Sequence, residues 1–290
     1  MIIEIAEDLD RLALARPRSE LWGGPLSTAQ YAERNIRLYA HPFGKAKIIT
    51  WLARNNDGNL LTSLDTFEVK FRSGKEIVTG YHIASVYTPP DQRGHDHARK
   101  LLSTVLSKNP SALSILFSDL RPSYYEKLGY ESFSMRENIL SAQAVDRRGL
   151  ETALDSKSFV KELANRKEFL TKPGVTVEYD ELYLDWHIER FRYFSELTQK
   201  RLPTEIFWIG EHSGKLHPIA SIPNFVSGNE EGMVLDGQCS HCINFLVNQA
   251  VLHGLPSARF WVEDRVAPNK IPMIRNAAVP WVDRQALDYW

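Results

Sequence analysis

The stretch EIVTGYHIASVYTPPDQRGHDHARKLLSTVL, Glu76 to Leu106, constrains the fold more than any other part of this sequence. Glu76 to Thr88 reads as a long strand. Pro89-Pro90 ends it, because proline has no N–H to give to a sheet ladder. Ala98, Leu101, Leu102, Val105 and Leu106 then recur at the spacing of one helix face, while Arg99 and Lys100 point away from it. The helix stops before Asn109-Pro110. ALSILFSDL follows as a buried strand, PSYYEKLGY as a short helix ended by Gly129, and YESFSM as another strand. A strand, a crossover helix and a strand in this order are expected to pair in parallel.

Upstream, STAQYAERNIRLYA reads as a helix with Ser27 as N-cap. AKIITWLARN, LLTSLDTFEVKF and EIVTGYHIASVYT are strands separated by a turn at Asp57-Gly58 and a second turn at RSGK, so Ala46 to Thr88 is expected to form an antiparallel meander. No internal repeat at a fixed period and no low-complexity segment stands out. Ala142 to Thr152 lacks periodicity, and the boundary is placed there: residues 1–145 form one domain and 146–290 a C-terminal lobe. In that lobe SKSFVKELANRKEFL and the aromatic-rich DELYLDWHIERFRYFSELTQK read as helices. EIFWIG, HPIASIPNF and ARFWVED read as strands, and SHCINFLVNQAVLHG as a helix. The fold class is therefore mixed α/β in both halves.

The bulk numbers exclude several partners. Lys and Arg total 35 against 36 Asp and Glu, so a net charge of -1 gives no basis for binding nucleic acid or an anionic membrane. No apolar run is long enough to cross a bilayer. Two cysteines do not make a disulfide framework, and MIIEIAEDLDRL does not have the shape of a signal peptide, so a cytoplasmic, reducing location is expected. Cys239, His241 and Cys242, with His212 and His217, are the residue types of a zinc site. A second Cys-x-x-Cys pair is missing and Cys242 falls on an apolar helix face, so no metal is expected.

The strand, the turn TPPDQRGHDHA, the amphipathic helix and the later YYEKLGY together resemble the acetyl-CoA-binding core of the GNAT superfamily of N-acetyltransferases, over about Ile48 to Phe133. The family's turn runs Arg/Gln-x-x-Gly-x-Gly/Ala, and Arg93, Gly94, His95, Asp96, His97 and Ala98 occupy it here. A longer likeness, in PLSTAQYAERNIRLYAHPFGKAKIITWLAR, SVYTPPDQRG, LFSDLRPSYYEKLGY and the ending ALDYW, is to the fungal lysine N-acetyltransferase family. The resemblance implies a GNAT-type, mostly antiparallel mixed sheet with flanking helices. It implies acetyl-CoA as co-substrate and a primary amine, the side-chain amine of lysine among them, as acceptor.

The turn has a direct physical logic. Unpaired N–H groups and the helix dipole converge at the start of a helix and hold a pyrophosphate without a metal. Asp96 stands where the family has glycine. It brings a β-carbon and a like charge toward the phosphates, unless it turns outward and caps the helix. Two readings follow: acetyl-CoA held by a distorted turn, or a GNAT fold that has given up acetyl transfer and serves as a binding protein or runs another reaction. Val86, Tyr87 and Thr88 end the strand where it splays from its parallel neighbour, leaving backbone groups for the pantetheine arm. For the chemistry, the resemblance assigns His82 as base, with Glu68 as rival and a candidate substrate contact, and Tyr125 as acid toward the departing thiolate. Trp186 and His187, on the aromatic helix of the second half, are candidate acceptor contacts.

Overall fold

The structure, a computed structural model, describes residues 1–73, 75–132, 135–143, 151–164, 175–212, 215–234, 240–263 and 271–275. The chain divides into two compact units. The first comprises Met1–Phe71, Ile77–Ser132 and Pro272–Ala278; the second comprises Arg72–Glu76, Phe133–Ile271 and Val279–Trp290. The division thus falls at Ser132/Phe133 where the sequence suggests 145/146, and a short C-terminal segment returns to the first unit.

In the first unit, β1 (Ile2–Ile5) is followed by α1 (Asp8–Trp22), α2 (Thr28–Ala40) and α3 (Pro42–Lys47). Then come β2 (Ile48–Arg54), β3 (Leu60–Ser73), β4 (Glu76–Tyr87), α4 (His97–Ser107), β5 (Ser114–Ser118), α5 (Ser123–Glu126) and β6 (Tyr130–Ser132). Ser27 caps α2 as expected. Its hydroxyl accepts from Gln30 N at 3.3 Å, and its own N–H donates to the Gln30 side chain at 2.9 Å. Gly58 closes the first hairpin at φ +84°, a left-handed conformation that glycine adopts without strain. The strand expected from Ala46 starts two residues later, because Pro42 at the first helical turn and the His41 ring nitrogen, accepting from Phe43 N at 3.2 Å, nucleate α3 there instead.

Helix α1 is not apparent in the sequence. Pro17 lies inside it and its apolar face is narrow: Leu14 and Ala15 are buried together with a charged residue, Arg18. The Arg18 guanidinium reaches Asp65 Oδ2 at 2.8 Å and Ser63 Oγ at 3.1 Å on β3, and Tyr39 OH donates to the same carboxylate oxygen at 3.2 Å. This buried charge pair pins α1 and α2 to one face of the sheet.

The sheet of the first unit runs β1-β2-β3-β4-β5-β14-β6, where β14 is the returning strand Ile271–Arg275. β1, β2 and β3 pair antiparallel, and β4 and β5 pair in parallel across α4, as the sequence order demands. Leu101, Leu102, Val105 and Leu106 are the buried face of α4.

The second unit contains β7 (Met135–Ser141), β8 (Glu151–Leu154), α6 (Ser156–Ala164), β9 (Val175–Glu178), α7 (Glu181–Thr198), β10 (Phe207–His212), β11 (Lys215–Asn224), β12 (Asn229–Val234), α8 (Ser240–Leu252) and β13 (Ser257–Glu263). Its sheet runs β7-β13-β12-β11-β10-β8. β8, β10, β11 and β12 pair antiparallel in succession, and β12 pairs in parallel with β13 across α8. This is the connection of the first unit over again. In the first, β1, three helices and β2, β3 and β4 lead to α4 and the parallel β5; in the second, β8, the helices α6 and α7 with β9 between them, and β10, β11 and β12 lead to α8 and the parallel β13. The repeat lies in topology and not in residues, so it leaves no periodicity in the sequence.

Candidate active site

Strand β4 and β5 share a parallel register over Tyr81↔Ser114, His82↔Ile115 and Ile83↔Leu116. Two residues on, Ser85 takes φ +52°, a left-handed backbone inside a strand. A residue other than glycine held there stores strain, and the parallel register of β4 with β5 ends just before it, at Ile83↔Leu116. Gly80 sets how closely the two strands approach before that point: a β-carbon there would meet Leu113 O at 2.1 Å and the Phe71 ring at 2.7 Å. Beyond the break, Thr62 donates its hydroxyl to Tyr87 O at 2.8 Å and lies 3.0 Å from the Thr88 hydroxyl. The Tyr87 ring packs with Ala6, Leu14 and Leu52, so at this position only backbone faces the opening. Pro89 O then accepts from Gln92 N at 2.9 Å, and Arg93 Nε donates to Thr88 O at 3.2 Å, folding the turn back on the strand end.

The turn has two left-handed residues, Gly94 at φ +83° and Asp96 at φ +62°. Nothing lies within 4 Å of where a Gly94 β-carbon would be, so the space over the turn is open. The first helical bond of α4 runs from Lys100 N to Asp96 O at 3.0 Å, which leaves the N–H groups of His97, Ala98 and Arg99 without an intrahelical acceptor. Asp96 does not cap α4 with its side chain, contrary to one expectation from the sequence; its carboxylate turns aside to the Arg99 guanidinium. That hydrogen bond, with the positive charges of Arg99, Lys100 and Lys127, holds the Asp96 carboxyl below the usual carboxylate range. The His95 and His97 rings stack at 5.7 Å. Burial, the His95 ring and Lys100 lower the His97 imidazole below its ordinary value.

His82 is buried between the rings of Phe67, at 5.4 Å, and Phe117, at 5.7 Å. Burial alone lowers its pKa to about 4, so the ring is neutral near pH 7. Phe67 lies two residues from Asp65 on β3, which puts His82 on the face covered by α1 and α2. Glu68 points the other way, where it pairs with Lys47, and does not join His82. Tyr125 is buried, with Tyr124 at 4.9 Å and Tyr130 at 6.0 Å between ring centres. Burial and the neighbouring tyrosines raise its phenol well above the ordinary range, so it is a protonated donor at neutral pH. The Tyr130 hydroxyl lies 2.8 Å from Ser114 Oγ. Ser114 and Ile115 are consecutive on β5 and face opposite ways, and His82 pairs with Ile115. His82 and Tyr125 therefore lie on opposite faces of the sheet.

Trp186 and His187 lie on α7 in the second unit. The His187 ring packs against Tyr183 at 4.6 Å and Trp186 at 4.9 Å and borders a small, water-sized pocket with Leu184, Phe207, Ala220 and Ile222. Cys242 is buried in an apolar cluster with Phe245 and Leu246, and Cys239 lies outside the described residues. Among the described residues no three His, Cys, Asp or Glu side chains are placed to share a metal ion, and no helix is long and apolar enough to cross a membrane. Sequence reasoning missed Ser85, which carries no glycine to flag its conformation. It also missed the tie from Asp96 to Arg99, which the acid–base spacing i, i+3 on a helix could have shown.

Comparison with known proteins agrees with this geometry. Residues 24–133 match the profile of the acetyltransferase (GNAT) domain family. No curated protein sequence matches the chain. Among solved structures, a conserved protein of unknown function from Enterococcus faecalis V583 is similar at TM-score 0.61 and 16% identity, over 95% of this chain and 72% of the other. A GCN5-related N-acetyltransferase from Anabaena variabilis ATCC 29413 is similar at TM-score 0.58 and 13% identity, over 95% and 73%. One from Kribbella flavida is similar at TM-score 0.54 and 14% identity, over 94% and 72%. At such identities the likeness is one of fold. The chain has the GNAT acetyltransferase fold, and residues 24–133 carry the match to its domain family.

Proposed function

We propose that the protein is an acetyl-CoA-dependent N-acyltransferase acting on a primary amine. The observation that carries this reading is a coincidence in space. A turn with unpaired N–H groups opens α4 at the point where β4 leaves β5, within the segment that matches the acetyltransferase family. A diphosphate suits the turn, and an extended arm suits the opening between the strands. The side-chain amine of lysine is the first acceptor to test, on the strength of the sequence resemblance to fungal lysine N-acetyltransferases.

In the reaction the amine nitrogen attacks the thioester carbonyl, a C–N bond forms, the C–S bond breaks and the amine loses a proton. The Tyr125 phenol gives its proton to the departing sulfur and regains one from water. His82, neutral and weakly basic, can accept the amine's proton only in passing and hand it on to solvent. The rate should thus rise with pH as the amine itself deprotonates, with no inflection near the ordinary histidine value of about 6.5.

The low basicity of His82 and the carboxylate of Asp96 favour a second reading, a GNAT fold that binds CoA without acetyl transfer. Radiolabelled acetyl-CoA incubated with lysine and a panel of primary amines decides between them. Labelled amide is expected, formed roughly a hundredfold more slowly by Tyr125→Phe. CoA binding with no labelled amide from any amine would establish the binding-only reading.

A further inference from the structure

Asp96 stands where the sequence resemblance implies a glycine, yet its carboxylate does not cap the free N–H groups of α4; Arg99 holds it aside. The left-handed backbone at φ +62°, ψ +15° sends the side chain sideways, and both partners of the ion pair are about half exposed, at 43% and 51%. Each can move without opening the core. Lys100 and Lys127 act on Asp96 as well, so the carboxylate stands among several cations.

We propose that Arg99 is the side-chain contact for the diphosphate and that Asp96 is its stand-in anion, holding the guanidinium beside the turn until the ligand takes it. This deepens the reading of the turn as a CoA site and rests on it. The exchange runs toward the phosphate because a guanidinium matches two phosphate oxygens at once and a diphosphate carries more charge than one carboxylate. Once Arg99 has moved, Asp96 is an unpaired anion beside another anion. The natural protein therefore binds CoA less tightly than its backbone geometry permits, and residue 96 sets the affinity.

The test is CoA binding by titration calorimetry to the wild type, to Asp96→Asn, and to Arg99→Ala made on the Asp96→Asn background, with pantetheine, which lacks the diphosphate, as control ligand. Asparagine keeps the left-handed backbone accessible and removes the charge. Asp96→Asn should bind CoA several-fold more tightly. Adding Arg99→Ala should loosen binding by about tenfold, a difference of about 1.4 kcal/mol. Pantetheine binding should be the same in all three proteins. Equal CoA affinity of Asp96→Asn with and without Arg99 would overturn the proposal while leaving the CoA site standing, since Arg99 would then be a counter-ion only. If none of the three binds CoA, the nucleotide reading falls and this proposal falls with it.

Discussion

At the scale of single residues, environment decides what each candidate can do. The sequence offers His82 as a base titrating near neutrality, and burial between its two aromatic neighbours removes that property. Its folded pKa of about 4 lies below the unfolded value of about 6.5. Neutral His82 thus contributes stability that is fully present above pH 6.5 and is lost as pH falls through 4. The whole effect is roughly 3 kcal/mol. Urea unfolding at pH 7 and pH 4.5 should show this loss in the wild type and much less of it in His82→Leu; equal acid sensitivity of the two would place the effect elsewhere. Ser85 makes a second residue-scale prediction. Ser85→Gly should be tolerated or stabilising, while Ser85→Val, which puts a β-branched side chain at φ +52°, should lower stability by about 1–3 kcal/mol in the same assay. The position of His82 before the turn is legible in the sequence. Its desolvation is not, because Phe67 and Phe117 reach it from other strands.

At the scale of elements, the parallel pair β4–β5 and the helix α4 between them organise the site. Both are readable in advance, since the spacing of Leu101, Leu102, Val105 and Leu106 admits only a helix and the order of elements admits only a parallel pair. Gly80 is the point where that pair is tightest. Gly80→Ala would drive a methyl into Leu113 O, which already accepts from Tyr81 N at 2.9 Å, and part the strands below the opening. A loss of roughly 1–3 kcal/mol in stability, with weakened CoA binding, is expected from chemical unfolding and titration. Helix α1 marks the limit of sequence reading at this scale. Its hold on the sheet is the buried pair Arg18–Asp65, whose members stand far apart in the chain, and Pro17 disguises the helix locally. Removing one partner by Arg18→Met leaves a buried carboxylate unpaired, and a loss of about 3–5 kcal/mol in thermal or urea unfolding is expected.

At the scale of the whole molecule, two units share one order of connected elements. The residues between β12 and α8, Leu235 to Cys239, read LDGQC and lack the Arg/Gln-x-x-Gly-x-Gly/Ala pattern. The repeat escaped the sequence because strand order and crossover are properties of pairing partners, and residues on the two sheets need share only polarity. Equilibrium titration with acetyl-CoA tests the central claim most directly. The account predicts one molecule bound per chain, competed by CoA, with a thermal stabilisation equivalent to about 2.7 kcal/mol at a hundredfold excess over Kd. Two molecules per chain would contradict the assignment of the site to the first unit, and no binding at millimolar acetyl-CoA would contradict the account as a whole.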